Sequence, residues 1–279
     1  MTMLSINTNV GALTAARSSY SVNKSMEQSM ERLASGKRIN SASDDAAGLA
    51  IANRLNAEIN GIHQAVRNAS DAQGMLGVAE GALEQVHSLL LRMREIAVQS
   101  ANETVTSADR NMLQTEVAQL ETEIQRIVDD TTWAGITLLA GGFTTGATFQ
   151  IGPRNSDTIQ ISISAIEPLS TVADGGLNLN NHVSTQDNAG TYIGVIDGAI
   201  SIISADRATY GAVMNRLDHA MANLQNVATN LSVAKGRIMD ADFATESSNL
   251  ARTQVLQQAS MAMLAQANAS KQNILSLFQ

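Results

Sequence analysis

RLASGKRINSASDDAAGLAIANRL, residues 32–55, decides how this chain is read. It opens as the last turn of one helix and closes as the first turns of another. Between them lie a basic pair, Lys37 and Arg38, and an acidic pair, Asp44 and Asp45. Gly36 stands where a helix ends on a left-handed residue, and the cations beside it suit the negative end of the helix dipole. Ser41, with Asp44 three residues on, matches a capping box for the helix that follows. Gly236 and Asp240 mark a corresponding break near the other end of the chain. Two such joints, one toward each end, predict two stacked helical layers, each built from both ends of the sequence.

Working outward from the joint, apolar residues recur at Ile51, Leu55, Ile59, Ile62, Val66, Ala69, Leu76, Ala79, Leu83, Val86, Leu90, Met93 and Ala97, with a polar interruption near Gln73. Steps of three and four sustained over several heptads make a coiled-coil-like seam. A helix over this span is about 75 Å long at ~1.5 Å per residue, and it cannot bury its stripe alone. A second seam runs through Leu113, Val117, Leu120, Ile124 and Ile127. A third runs Tyr210, Val213, Leu217, Ala220, Leu224, Val227, Leu231, Ala234 and Ile238.

The two ends share a style of their own. Leu4, Ile6, Val10, Leu13, Met26, Met30 and Leu33 punctuate one. Phe243, Leu250, Val255, Leu256, Met261, Leu264, Ile274, Leu275, Leu277 and Phe278 punctuate the other. Both read as alanine-, serine- and glutamine-rich amphipathic helices, the first mildly basic and the second mildly acidic, so they can pair. Short of large apolar residues, neither is expected to be stable alone in water.

The middle differs. Between Gly135 and Gly198 glycines cluster, and both prolines, Pro153 and Pro168, occur here. In FQIGPRNSDTIQISI, Phe149 and Ile151 alternate with polar residues before a turn, and Ile159, Ile161 and Ile163 do so after it. Period-two alternation on both sides of Gly-Pro-Arg-Asn-Ser-Asp predicts a half-buried β-hairpin. LNLNNHVSTQDNAGT reads as a polar loop, and Asp129 and Asp130 end a helix before the turn TTWAG.

The totals agree with long helices packed side by side. Of 279 residues 44% are hydrophobic but only 3% aromatic, so aliphatic residues supply the core. A net charge of −8 argues against general nucleic-acid binding. Without cysteine there are no disulfides or thiolate metal sites. No apolar run is long enough to cross a membrane, and MTMLSINTNVGAL lacks the basic and apolar regions of a secretory signal, so a cleaved leader is not expected. Four histidines, His63, His87, His182 and His219, form no metal-binding pair, SGKR lacks the upstream glycine and the downstream serine or threonine of a phosphate loop, and no serine has a credible base. The residues name no catalytic, cofactor or metal site, so an enzyme on a helical scaffold finds no support.

LSINTNVGALTA, SMERLASGKRINSASDDAAGLAIANRL, MREIAVQSAN, FQIG with TIQISI, and the terminal SLFQ resemble bacterial flagellin, in order and over nearly the whole chain. The resemblance implies a mainly α fold: an elongated coiled-coil-like helical bundle built from both chain ends, with a small β-hairpin region in the middle. It implies a structural subunit that self-assembles into the helical flagellar filament for motility. The alternative is a flagellar hook-associated or junction protein. The expected organisation is 1–43 as the N-terminal half of an inner coiled coil plus spoke, 44–177 as an outer helical layer with the hairpin, 178–192 as a short variable loop in place of large outer domains, 193–238 as the returning helix, and 239–279 as the C-terminal half of the coiled coil. Polymerisation is expected to use Leu4, Ile6, Val10, Leu13, Leu250, Val255, Leu264, Ile274, Leu275, Leu277 and Phe278. By the same resemblance LLRMREIAVQSAN, with Leu91, Arg92 and Ile96, and Glu116 on the next helix, match the site read by the animal Toll-like flagellin receptor. Implied partners are further copies of the chain, an export chaperone, and the filament cap and hook-junction proteins. Export by the flagellar type III route to an extracellular flagellum follows, with no cofactor, no nucleic acid and no membrane insertion.

Overall fold

The computed structural model describes residues 8–143, 146–166, 177, 179 and 183–276, with side chains as far as residue 270. The elements are α1 (Val10–Ser35), α2 (Ala46–Ser100), α3 (Ser107–Asp130), β1 (Thr132–Trp133), β2 (Ile136–Thr137), β3 (Ala147–Gln150), β4 (Thr158–Ile161), α4 (Gln186–Met239) and α5 (Phe243–Ser276). They divide into two compact units, Met1–Ile59 with Thr229–Gln279, and Asn60–Ala228. α2 and α4 each run from one unit into the other.

The unit formed by residues 60–228 holds the apolar core. Leu76, Leu83, Val86, Leu90 and Met93 of α2 are fully buried, with Val117 and Ile124 of α3 and Tyr192, Ile196, Ile203 and Leu217 of α4. Each is a seam position or its neighbour on the same helical face, so steps of three and four place them on one inward stripe. Polar contacts that bridge α2 and α4 in antiparallel order include Gln73 Nε2 to Asp218 Oδ1 at 2.7 Å, Arg207 Nη2 to Glu80 at 2.7 Å, and Arg94 Nε to Asp197 at 2.7 Å. The turn into α3 is closed twice. Thr106 and Asp109 form a reciprocal capping box. Arg110 donates to the carbonyls of Ser100 at 2.8 Å and Asn102 at 3.0 Å, satisfying the free end of α2.

The expected hairpin is present as β3 and β4, antiparallel, with Phe149 opposite Ile159. Ile159, Ile161 and Ile163 are buried, and Phe149 and Ile151 pack half-buried against the core. A second hairpin, β1 with β2, occupies the stretch read only as a turn. Its central residues Ala134 and Gly135 both have positive φ, 51° and 83°, the geometry whose twist matches paired strands.

Two boundaries move. The polar stretch read as a loop through residue 192 is already helical from Gln186. Thr185 accepts from the Asn188 amide as a cap, and Ala189 and Tyr192 are buried on the first inward turns. Their burial outweighs the helix-weakening glycines at 190, 194 and 198. The other break also shifts: α4 continues past Gly236 to Met239.

In the second unit α1 and α5 lie antiparallel. Asn9 Nδ2 donates to the Ala267 carbonyl at 3.1 Å, Gln257 donates to Asn23 Oδ1 at 2.8 Å, and Arg32 faces Glu246 at 3.8 Å. At the joint Gly36 adopts the expected left-handed conformation, φ 68°. The two chain breaks hydrogen-bond to each other: Arg38 N to Met239 O at 2.6 Å and Ala241 N to Gly36 O at 3.0 Å, with Lys37 opposite Asp240. The helix cap falls at Asp45, four residues later than the Ser41 of the capping-box reading. Asp44 Oδ2 already accepts from the amides of Asn40 and Ser41, closing the turn before the helix. Asp45 Oδ1 accepts from the Gly48 amide at 2.8 Å and caps α2. Asp242 does the same for α5, accepting from Ala244 N at 3.0 Å.

Candidate functional site

The paired terminal helices are built the wrong way round for a free-standing coiled coil. The residues α1 turns toward α5 are Ala12, Ala15, Ser19, Val22, Met26, Ser29 and Leu33. Those α5 returns are Glu246, Leu250, Thr253, Gln257, Ser260, Leu264 and Ala267. Both series step by three and four without a break, as a two-helix seam requires. Yet the most buried members are Ser19, Ser29, Thr253 and Glu246. Serine and threonine bury little apolar surface, so this seam is a weak source of stability.

Most of the large apolar residues described on the pair face outward instead. Val10 is 60% exposed, Leu13 62%, Phe243 67% and Val255 66%; Tyr20, Met30, Leu256, Met261 and Met263 share those faces. Exposed large apolar residues concentrated on one helix pair mark an interaction surface. Between the helices runs a shallow groove of about 570 Å³, floored by Gly11, Thr14, Ala15 and Ser18 and walled by Leu256 and Met263.

The residues expected to polymerise the chain therefore sort into groups. Val10, Leu13 and Val255 lie on the outward faces, and Leu250 and Leu264 are half-buried in the seam. Ile274 and Leu275 belong to α5, with side chains outside the described residues; Leu4, Ile6, Leu277 and Phe278 lie outside them altogether. Tyr20 and Met263 were missing from the sequence-level pattern. The seam itself is the signal that finds them: once Ala12, Ser19 and Thr253 are placed inside, whatever sits half a turn away is outside.

Of the residues matched to the receptor site, three meet at the surface. Arg92 donates to Glu116 Oε1 through Nε at 3.0 Å and Nη2 at 2.7 Å, and to Glu95 at 3.1 Å. These bonds, Glu116 first, raise the guanidinium pKa further. Leu91 is exposed beside it. Ile96 does not join them. It is fully buried in the α2 core, because it falls on the inward stripe three residues after Met93.

Nothing among the described residues gathers three or more histidine, aspartate or glutamate side chains into a metal-binding group. Two buried groups lack partners in the core, Tyr210 Oη and Asp206 Oδ2. Burial pushes the Asp206 carboxyl pKa up against the hydrogen bond from Ser164, and burial likewise raises the Tyr210 phenol. Tyr210 is buried in the core, and Asp206 is half-buried.

Long helices, a weak terminal seam and apolar side chains turned outward define a structural protein made to associate with other chains. The Bacterial flagellin N-terminal helical region matches residues 6–144 and the Bacterial flagellin C-terminal helical region matches residues 193–278. The chain belongs to the bacterial flagellin family and is a structural subunit of the flagellar filament rather than an enzyme. A flagellin of Halalkalibacterium halodurans is 41% identical over 276 residues, covering 98% of this chain and 99% of the relative. Flagellin FlaB2 of Treponema pallidum is 35% identical over 284 residues, with 98% and 99% covered. A crystal structure of Bacillus cereus flagellin superposes with a TM-score of 0.50 at 32% identity, over 61% of this chain and 94% of that one. A structure described as a flagellar hook-associated protein from Vibrio parahaemolyticus shares the fold, with a TM-score of 0.62 at 19% identity, over 71% of this chain and 100% of that one. The short chain fits a minimal flagellin. As expected, the chain is mainly helical with a small hairpin, and helices from its two ends pack together.

Proposed function

We propose that the outward faces of α1 and α5 are the polymerisation surfaces of this filament subunit, and that the terminal segments 1–43 and 239–279 form the inner coiled coil of the filament. The observation that carries this is the inversion of the terminal pair: Ser19, Ser29 and Thr253 inside, Val10, Leu13 and Val255 outside. Each leucine- or valine-sized side chain taken out of water contributes about 1.5–3 kcal/mol before ordering costs, and a helical lattice repeats the gain at every subunit. Leu13→Asp and Val255→Asp change exposed positions, so unfolding of the monomer is expected to shift by no more than about 1 kcal/mol. Salt-induced assembly of either variant should yield no filaments under the electron microscope. Filaments of normal length would overturn the proposal.

The remaining expectations rest on the family resemblance. An export chaperone covers α5 before secretion, and the filament cap and hook-junction proteins meet the same terminal faces. Export by the type III route leaves the encoded N-terminus in place on the extracellular subunit, which intact mass spectrometry of shed protein tests; loss of about twenty residues, the lower range of a signal peptide, contradicts it. Arg92, with Leu91 and Glu116, is the site for the animal Toll-like flagellin receptor. Their shared exposure favours this reading, and Ile96 supports it only from within the core. Arg92→Ala monomers should activate receptor-bearing cells less than the parent protein does, and equal activation would defeat the assignment.

A further inference from the structure

The chain has twelve methionines, and the structure separates them sharply. Met75 and Met93 are sealed in the core of residues 60–228. Met261 is 57% exposed and Met263 64%, two residues apart on α5, and Met263 forms a wall of the groove over Gly11, Thr14 and Ala15. Met112, on α3 in the other unit, is 72% exposed. We propose that Met261 and Met263 form an oxidation-sensitive modification site that switches assembly off, an inference that rests on the outward faces of α1 and α5 being the polymerisation surfaces.

The chemistry needs only a hydroperoxide, for which hydrogen peroxide is the probe. The thioether sulfur attacks the terminal peroxide oxygen, the O–O bond breaks, and an S–O bond forms. The sulfur is oxidised by two electrons, the peroxide is reduced, and after proton transfer the departing oxygen leaves as water. The reaction needs an accessible sulfur, which Met261 and Met263 offer in the unassembled subunit and Met75 and Met93 do not. The product is a polar, chiral sulfoxide in place of a flexible apolar side chain. Its oxygen is a strong hydrogen-bond acceptor. The donors in the groove lining are the hydroxyls of Thr14, Ser18, Ser260 and Ser270 and the side-chain amide of Gln266. Thr14 already donates to the carbonyls of Val10 and Gly11, and Ser260 to Leu256. Packing a neighbouring subunit's apolar side chains over that oxygen strips it of water, a penalty that assembly alone incurs. The folded monomer keeps the group in water and is not destabilised. Because sulfoxides are reversible by stereospecific reductases, the switch resets.

The experiment uses the full chain. Monomer is treated with hydrogen peroxide until peptide mass spectrometry shows sulfoxide at Met112, Met261 and Met263 and none at Met75 and Met93. Its critical concentration for salt-induced assembly is then measured. The expected rise is on the order of tenfold or more, the scale of one desolvated polar group per subunit. Circular dichroism of the monomer should be unchanged. Treatment with a mixture of the two sulfoxide reductases should restore assembly. The double variant Met261→Leu with Met263→Leu, compared with its own untreated critical concentration, should lose most of the rise that peroxide causes in the parent, whereas Met112→Leu should remain as sensitive as the parent. Normal assembly by parent protein carrying both sulfoxides would overturn the proposal, as would equal loss in the double leucine variant. If that variant fails to assemble untreated, reductase recovery of the parent decides, and no recovery counts against the switch. Normal filaments from untreated Leu13→Asp would instead break the polymerisation reading, a separate outcome.

Discussion

The two units of this chain use the same helical period for opposite ends. In residues 60–228 the steps of three and four carry Leu76, Leu83, Leu90, Ile124 and Ile196 inward, all fully buried. In the terminal pair, among the described residues, the same steps bury only Ser19, Ser29, Thr253 and Glu246, leave Val22, Leu33, Leu250 and Leu264 half-buried, and Val10, Leu13 and Phe243 stay in water. A seam's spacing therefore says that helices pair, and the size of the side chains on it says whether the pair stands alone. The central unit completes its core within one chain. The terminal unit has its largest apolar residues left over for other chains.

The largest effect expected from this contrast is all-or-none. Removing residues 243–279 should abolish filaments while the main thermal transition, set by the core of residues 60–228, stays nearly where it was. A collapse of that transition would show that the terminal pair supports the core, and the contrast would fail. Next in size is a matched pair of leucines. Leu90→Ala should lower the unfolding free energy by about 2–5 kcal/mol, because it opens a cavity in a closed core. Leu13→Ala should stay within about 0.5 kcal/mol in the monomer. Equal losses in urea titrations of the two would erase the distinction.

Acid offers a gentler probe. The Asp44 carboxyl is held below its usual range by the amides of Ser41 and then Asn40, and Asp242 by the hydroxyl and amide of Thr245 and then the Ala244 amide. With pKa values lowered in the folded state, their contribution is present above the unfolded value of about 3.9 and is lost as pH falls through the folded value. Amide exchange around Gly36–Gly48 and Asp240–Glu246 should therefore quicken below about pH 4 before the α2 amides between Leu76 and Ala97 respond. Simultaneous loss of protection would contradict this. Asp206 has the opposite sign. Burial raises its pKa, so the charged form is the disfavoured one and the strain fades as pH falls through the folded value. Asp206→Asn should raise the midpoint of the central unit slightly at neutral pH, a gain below about 1 kcal/mol at this half-exposed group. Smallest of all, Arg126→Ala removes exposed pairs with Glu123 and Asp130 on α3 and should leave the unfolding midpoint almost unchanged.

What was legible in the residues follows the same division. The α2, α3 and α4 stripes could be read because leucine, isoleucine and valine mark them. The β3–β4 hairpin could be read because Ile159, Ile161 and Ile163 alternate strictly with polar residues. The terminal seam was harder, since Ser19, Gln257 and Glu246 look like surface residues until a partner helix covers them. The β1–β2 hairpin escaped because two-residue strands have no period and Ala134-Gly135 is a weaker turn signal than asparagine-glycine. The joint was visible as a joint, but which residue capped α2 depended on Asp44 being engaged with the amides behind it. Ile96 shows the limit of resemblance: a matching motif transfers a position and leaves its burial to be found.

The only tryptophan adds a practical consequence. Trp133, on β1, packs against the α2 backbone at Gly74, where even a methyl group would come within 3.0 Å of the indole ring. The chain's one indole chromophore thus belongs to the central unit, and the terminal pair contains none. Intrinsic indole emission is an optical label placed on one unit by the sequence itself. Its spectrum should shift when the central core melts and stay almost constant while the terminal helices pair, separate or polymerise. An indole introduced in place of Tyr20 would give the terminal helices a signal of their own.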